Sequence, residues 1–262
     1  MNSTPIASLP TAAPRAKGAN VIAIASGKGG VGKTWFAITL AHALARAGQR
    51  ALLFDGDLGL ANLDIQLGLT PKHDLGAVIA GRLSLAQAAA PCPEGGFDVI
   101  AGRSGSGGLA NIAASRVQML CDDIVAFAAA YDTAILDLGA GVDRTVRQIS
   151  HSAATCIVIA TDEPTSLTDA YAFIKMVNAE RPGRDTRIVV NVANSTKEGE
   201  RTYQTLLKAC QGFLKMTPPL LGIIRRDAKV REAIRNQTPL LTRYPNCEAA
   251  IDVETIARRL IG

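Results

Sequence analysis

Seven short apolar runs punctuate the chain, at residues 21–25, 51–54, 97–101, 133–138, 155–160, 187–192 and 219–224. Each is short and rich in aliphatic residues, which is the pattern of a buried strand. Between the runs, apolar residues return at helical spacing. Trp35, Phe36, Ile38, Leu40 and Leu44 follow the first run; Val117, Leu120, Ile124 and Phe127 lie within 111–130. Ile251, Ile256, Leu260 and Ile261 mark the expected apolar side of a last helix over 248–261. Gly48 reads as a stop for the first helix, and Gly81 as a break between short helices over 74–90. A helix capped by Ser166 or Thr168 is expected after residue 163, and a basic one over 228–236. This alternation predicts an α/β fold: a doubly wound, mostly parallel β-sheet flanked by helices.

The 262 residues suit one such domain over 20–262, preceded by a flexible Pro/Ala/Ser leader at 1–19. With 48% hydrophobic and 19% charged residues the chain is globular in composition. No apolar run approaches the ~18 residues that cross a bilayer, and the leader lacks the pattern of a secretory signal. Five cysteines lie far apart without a C-x-x-C pair, which favours reduced thiols in a cytoplasmic protein over a zinc site or disulfides. His42, His73 and His151 share no ligand spacing.

Charge changes the picture in the last third. Residues 1–180 carry 13 Lys/Arg against 15 Asp/Glu, whereas 181–262 carry 15 against 8. The densest stretch, 225–235, can meet nucleic acid, acidic lipid or an acidic partner, or form an ordinary solvated helix face. The helix at 248–261 has arginines but no aromatic residue, so membrane association is expected to be weak or absent.

The strongest chemistry lies between the first strand and the first helix. Gly27-Lys28-Gly29-Gly30-Val31-Gly32-Lys33-Thr34 is the G-x4-G-K-T pattern of a phosphate-binding loop in its required strand–loop–helix context. Glycines let successive N–H groups turn toward phosphate oxygens, and the helix N-terminus adds partial positive charge. Lys33 can reach the β- and γ-phosphates, and the Thr34 hydroxyl can ligate Mg²⁺. Lys28, just after the first glycine, is either a surface lysine or a second phosphate contact.

Acids follow at two strand ends. Asp55 and Asp57 close the second run, where they can serve metal-bound or attacking water or simply favour a turn. Asp137 closes the fourth, the position of an acid near Mg²⁺ opposite the loop. Asn191 ends another strand, where its amide can pair with an adenine edge.

The double lysine of KGGVGKT resembles the deviant Walker A motif of the MinD/ParA/Mrp group of P-loop ATPases. DGDLGLANLDIQLGL, LDLGAGVDRTV, EPTSLTDAYAFIK and GIIRRDAKVREAIRNQTPLLTRYPN are similar to segments of its flagellar-number-regulator branch, FlhG/FleN. The resemblance spans about residues 20–260 and implies a slow ATPase switch that forms an ATP-dependent homodimer. It implies that Lys28 contacts phosphates across the dimer and that Asp57 orients the hydrolytic water. Asp55 would support the Mg²⁺ shell, Asn62 the switch or dimer surface, and Gly141 would lie by the γ-phosphate. Asn191, with the loop around Arg226 and Asp227, would meet the base. The implied output is control of flagella from the cytoplasm, peripherally at the membrane or cell pole, with a flagellar signal-recognition-type GTPase or switch protein as partner. Two departures stand out: residues 1–20 contain no Gln-rich activating motif, and no amphipathic helix follows 248–261. The rival readings are a DNA-associated partition or positioning ATPase of the ParA kind, and a metabolic ligase or metal-cluster carrier, the latter disfavoured by the missing C-x-x-C.

Overall fold

The computed structural model describes residues 18–102 and 112–262. The expected leader, apart from its last two residues, and most of the glycine-rich loop at 102–108 lie outside the described residues. The strands are β1 (Val21–Ser26), β2 (Ala51–Gly56), β3 (Ala90–Cys92), β4 (Phe97–Ile100), β5 (Thr133–Ala140), β6 (Thr155–Ala160), β7 (Asp185–Ala193) and β8 (Leu220–Arg225). They form one sheet in the order β3-β4-β2-β5-β1-β6-β7-β8, parallel except for β3. The predicted strands all appear. β3 escaped the reading because Ala-Pro-Cys is only three residues long and contains a proline, tolerated because the strand lies at the sheet edge.

The helices are α1 (Lys33–Arg46), α2 (Leu63–Leu67), α3 (Leu75–Ile79), α4 (Leu85–Ala88), α5 (Ala114–Ala128), α6 (Arg144–Ser150), α7 (Pro164–Glu180), α8 (Thr196–Ala209), α9 (Ala228–Arg235), α10 (Leu240–Arg243) and α11 (Glu248–Ile261). A π-helical turn, Cys210–Leu214, continues α8. Alternation along β1 explains the two layers. Val21, Ala23 and Ala25 point into a core with α5, α6 and α7, while Ile22 and Ile24 join α1 and α11 on the other face. Both faces of the central strands are therefore covered, which is why they read as unbroken apolar runs.

Two local expectations are corrected. α7 begins at Pro164 with Glu163 at its cap, not at Ser166 or Thr168, because proline's fixed φ suits the first helical position. The Ser166 hydroxyl instead accepts the Thr161 N–H at 3.0 Å, and Thr168 bonds back to the Pro164 carbonyl. On α11 the buried side is Ala249, Ala250, Val253, Ile256 and Ala257, whereas Ile251 and Ile261 face outward. Ile256 and the partly buried Leu260 pack inward as expected, and small alanines let the helix lie close to α1 and β8 without Ile251 or Ile261. No helix of the described residues is long and apolar enough to cross a membrane.

That close packing is testable. A Cβ on Gly222 of β8 would meet Ile256 Cγ1 of α11 at 2.4 Å, whereas one on Gly212 would meet nothing within 4 Å. Gly222→Ala is expected to lower stability by about 1–3 kcal/mol through overpacking, and Gly212→Ala to stay within about 0.5 kcal/mol of the parent. Urea denaturation of both variants checks this; equal midpoints would refute the tight α11–β8 contact.

Candidate functional site

The site lies at the carboxyl ends of β1, β2, β5, β6 and β7, the edge where open α/β sheets bind ligands. The pairing of β1 with β5 slips between Ile24 and Ser26, and the chain leaves the sheet there. The Gly141 N–H returns to the Ser26 carbonyl at 3.0 Å, tying the end of β5 to the start of the loop. Gly30 and Gly32 have φ of +79° and +92°, a region glycine adopts without strain. Gly27 is required by a close approach: a Cβ there would stand 2.0 Å from the Asp169 carbonyl oxygen. Gly32 caps α1 without a side-chain hydrogen bond, so the first N–H groups of the helix remain for a ligand anion. Gly29 lies beside Ala140, a Cβ on it coming within 3.8 Å of that side chain.

Asn191 braces this loop. Its Nδ2 donates to the Val31 carbonyl at 2.7 Å, and its Oδ1 accepts the Val192 N–H at 2.9 Å. A second amide hydrogen and a second lone pair remain.

At the other side of the loop the charges gather. Lys33 is buried, and desolvation lowers its pKa while Asp137 and Asp57 oppose that shift. Asp55 and Asp137 are register partners on β2 and β5 and both are buried. Burial pushes each carboxyl up to about 7, against the hydrogen bonds that Leu63 and Asp57 N–H give Asp55 and the Thr34 hydroxyl gives Asp137. Asp137 Oδ1 has no hydrogen-bond partner among the described residues. An orphaned carboxylate oxygen, a second buried acid and a threonine hydroxyl are a hard-oxygen donor set that fits Mg²⁺. Asp57 differs from its neighbours. Its Oδ1 accepts Leu60 N–H at 2.9 Å and Gly59 N–H at 3.3 Å, a turn that leaves Oδ2 available.

On the β7 side a cavity of about 600 Å³ opens between the loop and α9. It gathers the predicted Gly30, Val31, Gly32, Asn191, Arg226 and Asp227. Arg226 bonds Asn194 Oδ1 at 3.2 Å. Asp227 caps two helices, accepting Lys229 N–H at 2.8 Å and Ala249 N–H at 3.3 Å. Desolvation pushes its pKa up, but these and further hydrogen bonds outweigh it and hold the carboxyl below its ordinary range. The basic stretch is partly compensated from within, since Arg225 pairs with Glu248 and Asp252, and Lys229 with Glu232.

Lys28 stands apart from the buried lysine. Its Nζ meets Glu163 Oε2 at 2.5 Å and Thr165 Oγ1 at 2.9 Å, at the head of α7. Sequence reasoning assigned no chemistry to Glu163 and Thr165, and read Trp35 only as core although it lines the cavity. The signal for the first two was the EPTSLTDAY resemblance; for Trp35 it was its place directly after the Gly-Lys-Thr triplet.

The two raised acids make stability depend on pH. The folded protein holds protons on Asp55 and Asp137 at pH values where the unfolded chain, with a carboxyl pKa near 3.8, has released them. Their contribution is therefore full below the unfolded pKa and falls as pH rises through about 7. The metal-free protein is expected to lose stability across that window, and Asp55→Asn to flatten the loss. Urea melts at several pH values with chelator present measure it; an unchanged slope in Asp55→Asn would contradict the assignment.

Comparison with known proteins agrees with this geometry. Residues 22–240 match the CobQ/CobB/MinD/ParA nucleotide binding domain. The antiactivator FleN of Pseudomonas aeruginosa is 35% identical over 240 residues, covering 92% of this chain and 85% of FleN. The flagellum site-determining protein YlxH of Helicobacter pylori is 29% identical over 242 residues, covering 92% of this chain and 81% of YlxH. Among solved structures, the septum site-determining protein MinD from Pyrococcus horikoshii, complexed with Mg-ADP, superposes with a TM-score of 0.76 at 25% identity. That match covers 92% of this chain and 96% of that one. With its glycine-rich loop, buried lysine and paired buried acids, the chain belongs to the CobQ/CobB/MinD/ParA nucleotide-binding family and is a FleN-like ATPase of the MinD/ParA type.

Proposed function

We propose that the protein is an ATP-dependent switch that dimerises face to face and controls the number and placement of flagella. The carrying observation is the second lysine: Lys28 is half-exposed at the rim of the phosphate loop, tethered by one surface ion pair to Glu163 and one hydrogen bond to Thr165. An exposed pair of this kind contributes only about 0–1 kcal/mol. A phosphate in the site of a second copy is thus a competitive acceptor for Lys28. Leu60, 78% exposed on the same turn as Asp57, offers apolar area that such a dimer would cover. The likeness to FleN and to the flagellum site-determining protein YlxH supports the flagellar output; action from the cytoplasm, at the pole or membrane periphery, with a GTPase or switch protein as partner, completes the proposal. The DNA-associated reading is weakened because Arg225 and Lys229 already have acidic partners within the chain.

In this reading each residue has one task. The loop N–H groups and Lys33 bind the β- and γ-phosphates and hold their charge. Thr34, Asp55 and Asp137 would hold Mg²⁺, which supplies neutralisation of phosphate charge. Asp57 Oδ2 orients the attacking water and accepts its proton, while Oδ1 stays fixed by Gly59 and Leu60 N–H. Lys28 leaves Glu163 and seals the partner's site against bulk water.

Lys33→Ala is expected to abolish ATP binding, whereas Lys28→Ala should bind ATP within a few-fold of the parent and fail to dimerise. Calorimetry with light scattering separates the two, and equal loss of affinity would end the division of roles. Asp57→Ala should bind ATP and dimerise but release phosphate at least about 100-fold more slowly; near-parental turnover would reduce Asp57 to a turn residue. For the output, deletion of the gene should change flagellar number or position in electron micrographs, and unaltered flagellation would refute it.

A further inference from the structure

The chain enters the described domain against helix α5. The Asn20 amide donates to the Ala128 and Tyr131 carbonyls at 2.7 and 3.0 Å. Gly18 is buried where a Cβ would stand 3.8 Å from Val125. Residues 1–17, which lie outside the described residues, therefore set out from the flank of α5. The same helix forms one wall of an open groove of about 400 Å³, away from the phosphate loop. Val78, Ile79, Leu83 and Leu85 of the α3–α4 segment line it, with Met119 and Phe127 of α5. Met119 is 63% exposed, an apolar side chain left in water in the middle of α5.

The residues of the leader match this surface in kind and in order. After Met1 its large aliphatic residues are Ile6 and Leu9, flanked by Pro5 and Pro10. Its charged side chains are Arg15 and Lys17, with no acid among residues 1–17. The basic pair is thus nearest the point of entry, where α5 exposes Asp122 and Asp123 one turn before Val125. Asp122 is met there by the neutral Gln118 amide at 3.4 Å, so a cation is a better partner. Leu9 is nine residues from Gly18, a reach of up to ~30 Å. Met119 is six residues from Val125 along the helix, about 9 Å. The aliphatic pair can therefore reach the groove with slack to round α5. Prolines reduce the entropy lost when such a segment is fixed, and the tether gives it an effective concentration in about the mM range.

We propose that the α3–α4–α5 groove is the docking site of this chain's own leader. Ile6 and Leu9 cover Met119 and Phe127, and Arg15 and Lys17 meet Asp122 and Asp123. The leader is then a strap across α5, and a partner that needs either the leader or the groove must first displace it.

Trypsin tests this on the full chain, because Arg15 and Lys17 are cleavage sites. Cleavage there, followed by mass spectrometry of the released peptide, is expected to be about tenfold slower in the parent than in Ile6→Asp/Leu9→Asp or in Met119→Asp, since a bound segment is cut only when it opens. Met119 is exposed, so its replacement leaves the core intact. A second measurement locates the leader. Leu9→Cys/Met119→Cys treated with a short bismaleimide should link within one chain, and adding Ile6→Asp should remove the link. Leu9→Cys/Ile251→Cys, with its second cysteine on α11 across the sheet, should give none. Equal cleavage in parent and variants, no link to position 119, a link that survives Ile6→Asp, or equal linking at 119 and 251 would each overturn the proposal. So would a link found only between two chains, which would put the leader of a second copy in the groove.

Discussion

Burying one ammonium and two carboxylates at a single sheet edge is the constraint on which the rest of this site depends. Lys33, Asp55 and Asp137 are each almost fully removed from water. Unpaired, each such charge is strongly disfavoured in a low-dielectric interior. The parallel register sets Asp55 beside Asp137 on adjacent strands, so ionising both leaves an excess of negative charge facing one lysine. Burial answers this by holding protons on the acids and by weakening the lysine's own charge. A divalent cation and an anionic phosphate, entering together, resolve both strains at once. The arrangement is therefore matched to a metal–nucleotide pair more closely than to either ion alone.

Such electrostatics need a backbone that does not yield. Gly27 is pressed against the Asp169 carbonyl, Ser26 is tied to Gly141, and Val31 is held by the Asn191 amide. Those contacts come from α7, β5 and β7, three elements far apart in sequence. They fix the direction in which the loop N–H groups point before a ligand arrives. The glycines serve this in two ways, by conformation at Gly30 and Gly32 and by lack of bulk at Gly27.

The sequence made the layers legible because parallel strands buried on both faces leave uninterrupted aliphatic runs, and because the loop's residue types follow from its task. The same logic missed α2, whose two buried leucines, Leu63 and Leu67, are too few to establish a helical period. On α11 it found Ile256 and Leu260 but wrongly put Ile251 and Ile261 on the inner face, where three of the buried residues are alanines that carry little hydrophobic signal. The head of α7 was misread because Ser166 and Thr168 are good caps in isolation, yet Pro164 starts the helix two residues earlier than Ser166. Asp55 and Asp137 were found as types at strand ends and Lys33 within the loop motif, but their mutual burial is a property of the fold and is invisible in one dimension. Trp35 was legible only as core, since the cavity it lines is assembled by elements far apart in sequence.

The group proposed to move is held by weaker means than the groups that stay. Lys33 is enclosed, whereas Lys28, five residues earlier on the same loop, rests on a solvent-exposed carboxylate. Asp55 is locked between strands, whereas Asp57, two residues later, is fixed only by a local turn. Each pair places a residue locked in regular structure and one held only locally a few residues apart, on opposite sides of the boundary where regular structure ends. A switch needs both properties close together. In the lysine pair the proposed division is that Lys33 stays and Lys28 changes partners, at a cost of only about 1 kcal/mol. Interactions too weak to stabilise the fold are thus the ones suited to reporting which nucleotide is bound.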